Sequence, residues 1–141
     1  MPRADFYLID KPRFREQPLL LACELARKAS DAGLPMLVLC ASSAQAEQLD
    51  DLLWSFDPDA YVPHQIVGTD EDEDEASVLI AAPGHDAAMR PLVLNLRDAA
   101  VPEGFERVLE VVPADDSARG PLRERWSQYK ARGVEVNKHD M

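Results

Sequence analysis

The residues best suited to chemistry lie late in the chain. Over Ser117 to Arg132 (SARGPLRERWSQYKAR), Arg119, Arg123, Trp126 and Lys130 recur at spacings of 4, 3 and 4. At about 100° per residue, a helix gathers them within roughly a 60° arc. Leu122, Trp126 and Tyr129 form a neighbouring apolar stripe that must face the core. Trp126 thus stands where a buried stripe meets a cationic one. Such an edge suits an acidic peptide with a hydrophobic anchor: guanidinium groups take the carboxylates and the ring takes the apolar side chain. The same residues also suit a solvated helix face with a half-buried tryptophan, and composition by itself favours that second reading.

Catalytic and cofactor chemistry finds little purchase. Gly33, Gly68, Gly84, Gly104, Gly120 and Gly133 are isolated, so neither a G-x-G-x-x-G turn nor a Walker loop is present. His64, His85 and His139 are scattered over a presumed strand edge, a loop and the tail. Cys23 and Cys40 lie in apolar segments, with no neighbour in sequence that would activate a thiol and no zinc spacing. They read as small core residues in a reducing compartment. Ser42 and Ser43 follow a strand and precede a helix but lack the glycines of a nucleophile elbow, so they read as caps. No catalytic, cofactor-binding or metal-ligating residue is therefore assigned.

A second patch is aromatic. Trp54, Phe56, Tyr61 and Pro63 fall within ten residues, at the end of one expected helix and on an expected sheet edge. They suit either closure of the core or an exposed face for a permanent partner. Asp70 to Glu75 (DEDEDE) reads as a solvated loop.

The elements that must position these residues follow from hydrophobic periodicity. Ala4–Ile9, Met36–Ala41, Tyr61–Val67, Ser77–Ala82, Pro91–Leu96 and Arg107–Val112 read as strands, most of them apolar on both faces. Pro63 marks an edge strand. Helices are expected over Leu19–Ala32, opened by Pro18 and stopped by Gly33, and from a Ser42/Gln45 capping box to about Trp54. The last helix becomes regular near Pro121 and ends at Gly133. Lys11–Gln17 reads as a loop, Val134–Val136 as a short strand and Asn137–Met141 as a polar tail. This is an α/β pattern: a Rossmann-like, mostly parallel central sheet with helices on both faces and no nucleotide-binding glycine loop.

At 141 residues the chain is one domain's worth, residues 1–141, without a linker or repeat. Its net charge of −11 argues against strong direct DNA binding, which needs clustered Lys and Arg, yet permits a protein partner that works on DNA. No signal peptide and no membrane span is expected.

The ordered set FYLID, ACELARKA, LVLCASSAQAEQLDDLLW, YVPH, VVPADDS and RERWSQYKARG resembles the chi subunit family of the bacterial DNA polymerase III holoenzyme over nearly the whole chain. The resemblance implies a Rossmann-like fold without catalysis, cofactor or metal. It implies an adaptor at the cytoplasmic, nucleoid-associated replisome. The implied partners are the psi subunit, the clamp loader through psi, and the acidic C-terminal tail of the single-stranded-DNA-binding protein. The tail site carries over to Arg119, Arg123 and Trp126, with Val112 beneath and Lys138 on the closing segment. Arg119 and Trp126 stand where the family has lysine and tyrosine, and Lys138 replaces a small polar residue. The psi surface carries over to Trp54, Tyr61 and Pro63, with His64 adjacent; Tyr61 takes the place of a phenylalanine. The competing reading is a nucleotide- or small-molecule-binding enzyme with its ligand at the carboxyl ends of the strands, near Ser42, Gly84 or Pro113.

Overall fold

The computed structural model describes residues 2–68, 76–85 and 87–141. The acidic run Asp70–Glu75 lies outside them. In chain order the elements are β1 (Arg3–Leu8), α1 (Pro12–Glu16), α2 (Leu19–Asp31), β2 (Met36–Leu39), α3 (Ser43–Ser55) and β3 (His64–Ile66). They continue with β4 (Val78–Ala81), β5 (Leu92–Asn95), β6 (Arg107–Val112), α4 (Arg119–Ala131) and β7 (Glu135–Asp140). The strands form one sheet in the order β3-β4-β2-β5-β6-β1-β7, and every pairing is parallel.

Alternation along the strands builds two cores. Met36, Val38, Val78, Ile80, Leu92, Leu94, Leu109 and Val111 face α1, α2 and α3. Ala4, Phe6, Leu37, Leu79, Val93, Val108 and Val112 face the other way, under α4 and under Val67, Val101 and Phe105 of the connecting segments. The expected Rossmann-like layering is therefore present. Among the described residues, however, the β4–β5 and β5–β6 connections carry no helix, and α4 alone supplies the helical cover on the second face.

Local chemistry explains the helix starts. The Ser42 hydroxyl accepts from the Gln45 backbone N–H (3.0 Å), and the Gln45 side chain takes the Ala41 N–H (2.7 Å). The forward half of the expected capping box is thus made, satisfying one orphan donor of the first turn, while the return bond goes to the residue before the cap, Ala41, rather than to Ser42 itself. Before α4, Asp115 accepts from the Ser117 N–H (3.0 Å) and a 3-10 turn spans Asp116–Ala118. The helix is then regular from Arg119, two residues earlier than Pro121 suggested. Pro121 fits because its missing N–H falls in the first turn, where no intrahelical partner exists.

Two expectations are corrected. Pro12–Glu16 is a short helix rather than a loop, with Pro12 at its first position and Phe14 buried. The polar tail is part of a six-residue strand: β7 pairs with β1 along its whole length, from Arg3↔Glu135 to Leu8↔Asp140. Its polar composition is that of an edge strand exposed on one side, which periodicity of apolar residues does not detect.

A charged cluster ties β7 down. Asp5 on β1 is fully buried, and its carboxylate meets Arg107 Nε (2.7 Å), Arg3 Nε (2.9 Å) and His139 Nε2 (2.9 Å). The cluster therefore bridges β6, β1 and β7. Burial pushes the Asp5 carboxyl up, but the hydrogen bonds from His139, Arg107 and Arg3 together outweigh it and hold its pKa below the usual value.

On the α4 side, Glu110 is fully buried. Its Oε2 accepts from the Tyr129 hydroxyl (2.6 Å) and from Asn95 Nδ2 (2.9 Å). The Tyr129 oxygen in turn accepts from the Val101 N–H (2.9 Å). Arg125 Nε lies 3.0 Å from Glu110 Oε1, at ion-pair distance but without the alignment of a hydrogen bond. Burial pushes the Glu110 carboxyl up further than Arg125, Asn95 and Tyr129 draw it down, and burial beside Glu110 pushes the Tyr129 phenol up as well.

Two outcomes follow. Because the folded-state pKa of Asp5 is depressed, its contribution is complete above the unfolded value of about 3.9 and is lost as pH falls below it. Asp5→Asn is expected to cost about 2 kcal/mol at pH 7, with the gap from wild type closing as pH drops toward 3; urea titrations at several pH values measure it. Tyr129→Phe strands the Val101 N–H and removes one donor from Glu110, and is expected to lower stability by about 2 kcal/mol. An unchanged urea midpoint would show that the hydroxyl does not anchor α4.

Candidate functional site: a cationic groove beside helix α4

Helix α4 carries both charged and aromatic groups because two of its faces are occupied differently. Tyr129 and Arg125 point into the sheet, whereas Leu122 and Trp126 are half-buried along its flank. Trp126 leans on Phe6 of β1, with ring centroids 5.1 Å apart and planes at 46°. Lys130 Nζ sits 5.9 Å from the Trp126 ring, a cation–π distance.

Beside this flank lies a pocket of about 450 Å³ lined by Leu8, Leu122, Arg123, Trp126, Ser127 and Lys138. Lys138 reaches it because β7 pairs in parallel with β1. Lys138 stands opposite Phe6, so its side chain shares the α4 face of the sheet. Leu8, Leu122 and Trp126 supply apolar surface, and Arg123 and Lys138 supply charge. Among the described residues, no carboxylate lies at ion-pair distance from Arg123, Lys130 or Lys138. In a chain of net charge −11 these uncompensated cations make a local site for an anion with an apolar body.

The residues expected from sequence divide cleanly. Arg123, Trp126 and Lys138 converge on the pocket. Val112 is buried beneath, beside Leu8 in the register of β1 and β6. Arg119 lies outside the lining, one turn earlier on the helix, and is largely exposed, with Asp116 at 3.6 Å. Leu8 and Ser127 were not expected, and Leu122 was expected only as part of the core-facing stripe. Leu8 belongs to the first strand and joins the site through sheet pairing, which local pattern does not show; Ser127 sits one residue past Trp126.

The aromatic patch lies at the opposite edge of the sheet, around α3 and β3. Trp54 is 64% and Tyr61 72% exposed, while Phe56 turns inward onto the core. Pro63 is half-buried. The side chain of His64 is wholly buried: Nδ1 lies 2.7 Å from Val62 O, and Nε2 lies 3.1 Å from Asp50 O and 3.2 Å from Asp50 Oδ1. Its ring lies under Trp54 at 4.8 Å. His64 therefore braces β3 against α3 and supports Trp54 from beneath, leaving Trp54 and Tyr61 as the outward surface.

A larger cavity, about 660 Å³, opens at the carboxyl ends of β5 and β6, where the chain leaves for α4 on one face while α2 lies on the other. Pro113, Leu19, Gln45, Asp51, Arg97 and Arg125 are among its lining residues; Ser42 and Gly84 are not. Arg97 Nε is engaged with Cys40 O (2.8 Å), and Arg125 Nη1 with Asp98 O (3.2 Å). Helix α2 begins at a proline, and the Leu20 and Leu21 amides bond back to Gln17 and Pro18. These groups form no phosphate cradle. Burial pushes both thiols, Cys23 and Cys40, up to about 12, which keeps them protonated and inert. Among the described residues no cluster of three or more His, Cys, Asp and Glu side chains could hold a metal, and no helix is long and apolar enough to cross a membrane.

The family model described as DNA polymerase III chi subunit, HolC, matches residues 1–137. Proteins named DNA polymerase III subunit chi are similar along most of their length. That of Pseudomonas aeruginosa is 35% identical over 99% of this chain and 96% of its own. That of Escherichia coli is 31% identical, with 97% of each chain covered, and that of Haemophilus influenzae 30%, with 80% of each. A whole-chain family match, an open all-parallel α/β sheet and relatives at this identity agree, and the chain belongs to the DNA polymerase III chi subunit family.

Proposed function

We propose that this chain acts, as a single domain, as a non-catalytic adaptor of the replicative DNA polymerase holoenzyme in the bacterial cytoplasm. The groove beside α4 takes the acidic C-terminal tail of the single-stranded-DNA-binding protein. The Trp54–Tyr61 patch takes psi, which connects the chain to the clamp loader. The observation that carries the reading is the groove itself: Arg123 and Lys138, without carboxylate partners among the described residues, flank an apolar pocket formed by Leu8, Leu122 and Trp126. Carboxylates of the tail meet the cations, and a terminal apolar side chain fills the pocket.

Contacts of this kind raise the association rate and weaken with salt. Single tails bind modestly, but many tails on one coated strand hold the complex in place. At the other edge, two exposed aromatic rings form the apolar centre of a lasting contact, with His64 as a rigid base. The competing small-molecule reading draws on the cavity near Pro113. Its arginines are already engaged, and Glu16, Asp51 and Asp98 among its lining residues repel phosphates.

The decisive experiment is a fluorescence-anisotropy titration with a labelled acidic peptide ending in Pro-Phe with a free carboxylate. Wild type is expected to bind, more weakly at higher salt, and Arg123→Ala to lose an order of magnitude or more (~1.4 kcal/mol). Absence of wild-type binding would leave α4 as a solvated face. For the second surface, Trp54→Ala is expected to abolish co-purification with psi while shifting the melting temperature by less than about 2 °C. Retention of psi by that variant would remove the patch from the interface.

A further inference from the structure

Strand β7 ends the sheet, so among the described residues one of its edges is bare. Register decides which backbone groups face that edge. Glu135 donates its N–H to Pro2 O (3.1 Å) and Met141 to Leu8 O (2.8 Å), so the odd-numbered residues turn their amides toward β1. Val136, Lys138 and Asp140 therefore aim N–H and C=O away from the sheet. Their side chains lie on the α4 face, because they stand opposite Ala4, Phe6 and Leu8. The bare edge thus borders the groove, and Lys138 contributes to both: its side chain lines the pocket and its peptide group lies on the edge.

We propose that an acidic peptide with an apolar end binds by pairing its backbone with the outer edge of β7 as an added strand, while alternate side chains drop into the groove between β7 and α4. This deepens the tail-binding reading and rests on it. Strand addition fits because unpaired backbone groups on an edge give affinity and the neighbouring pocket gives specificity. The charge pattern selects the occupant: Arg123, Lys130 and Lys138 lack carboxylate partners among the described residues, whereas Glu135 and Asp140 at the two ends of β7 centre an acidic strand on Lys138. A second copy of β7 is disfavoured, since antiparallel self-pairing about Lys138 sets that lysine against its own copy.

The test leaves the protein untouched and methylates the peptide. The parent acidic peptide ending in Pro-Phe is compared with variants carrying one backbone N-methyl group at each acidic position in turn. A strand alternates its amides, so methylation at every second position is expected to weaken binding by about tenfold or more, with little effect at the positions between. In the same complex the Val136, Lys138 and Asp140 amides should exchange more slowly with solvent than in the free protein. If the parent binds but methylation has no alternating effect and those amides keep their exchange rates, strand addition is overturned and tail binding stands. If the parent does not bind, both readings fall.

Discussion

The buried carboxylate of Glu110 is the constraint on which the rest of this structure depends. A carboxylate on the inner face of a central strand is costly unless its oxygens are engaged. Here Asn95 reaches it from the neighbouring strand, while Tyr129 and Arg125 reach it from one helix. The two helical partners lie four residues apart, so both sit on one face of α4. Meeting them fixes the rotation of that helix about its axis. Once Arg125 and Tyr129 are committed inward, Trp126 is held on the flank, and Arg123 and Lys130 are turned to solvent.

The second constraint is the position of β1 inside the sheet. The first strand pairs with β6 on one side and with β7 on the other, so the chain's two ends lie side by side. Asp5 reinforces this by drawing Arg107 of β6 and the His139 ring of β7 onto one carboxylate. This arrangement makes Leu8, Trp126 and Lys138 neighbours although they come from three separate segments. A groove built on strands and a packed helix is more rigid than one built on loops, and it presents its cations already positioned.

Charge distribution gives the molecule its character. A net charge of −11 repels nucleic acid over most of the surface, whereas Arg123, Lys130 and Lys138, with no carboxylate at ion-pair distance among the described residues, lie together beside α4. Arg97 and Arg90 serve the framework instead: Arg97 bonds the Cys40 carbonyl beyond the carboxyl end of β2, and Arg90 bonds the Met36 carbonyl at the strand's opposite end. The open parallel α/β sheet is thus present, while the crevice at its carboxyl ends has its guanidinium groups engaged in holding the protein together.

Much of this was legible in the chain itself. Apolar runs such as MLVL and VLIA announced buried parallel strands, Ser42 and Gln45 announced a helix start, and the spacing of Arg123, Trp126 and Lys130 announced a mixed cationic and aromatic face. Local sequence determines such features because they arise from the fixed geometry of a strand or a helix. Pairing between distant segments is different. Nothing local marks NKHD as the continuation of a strand, Leu8 as a wall of the groove, or Glu110 as the anchor of α4, and His64 looks like a surface residue until α3 and β3 close over it. These assignments were decided by tertiary structure alone, because each depends on which groups meet across the sheet rather than on the residues beside them in the chain.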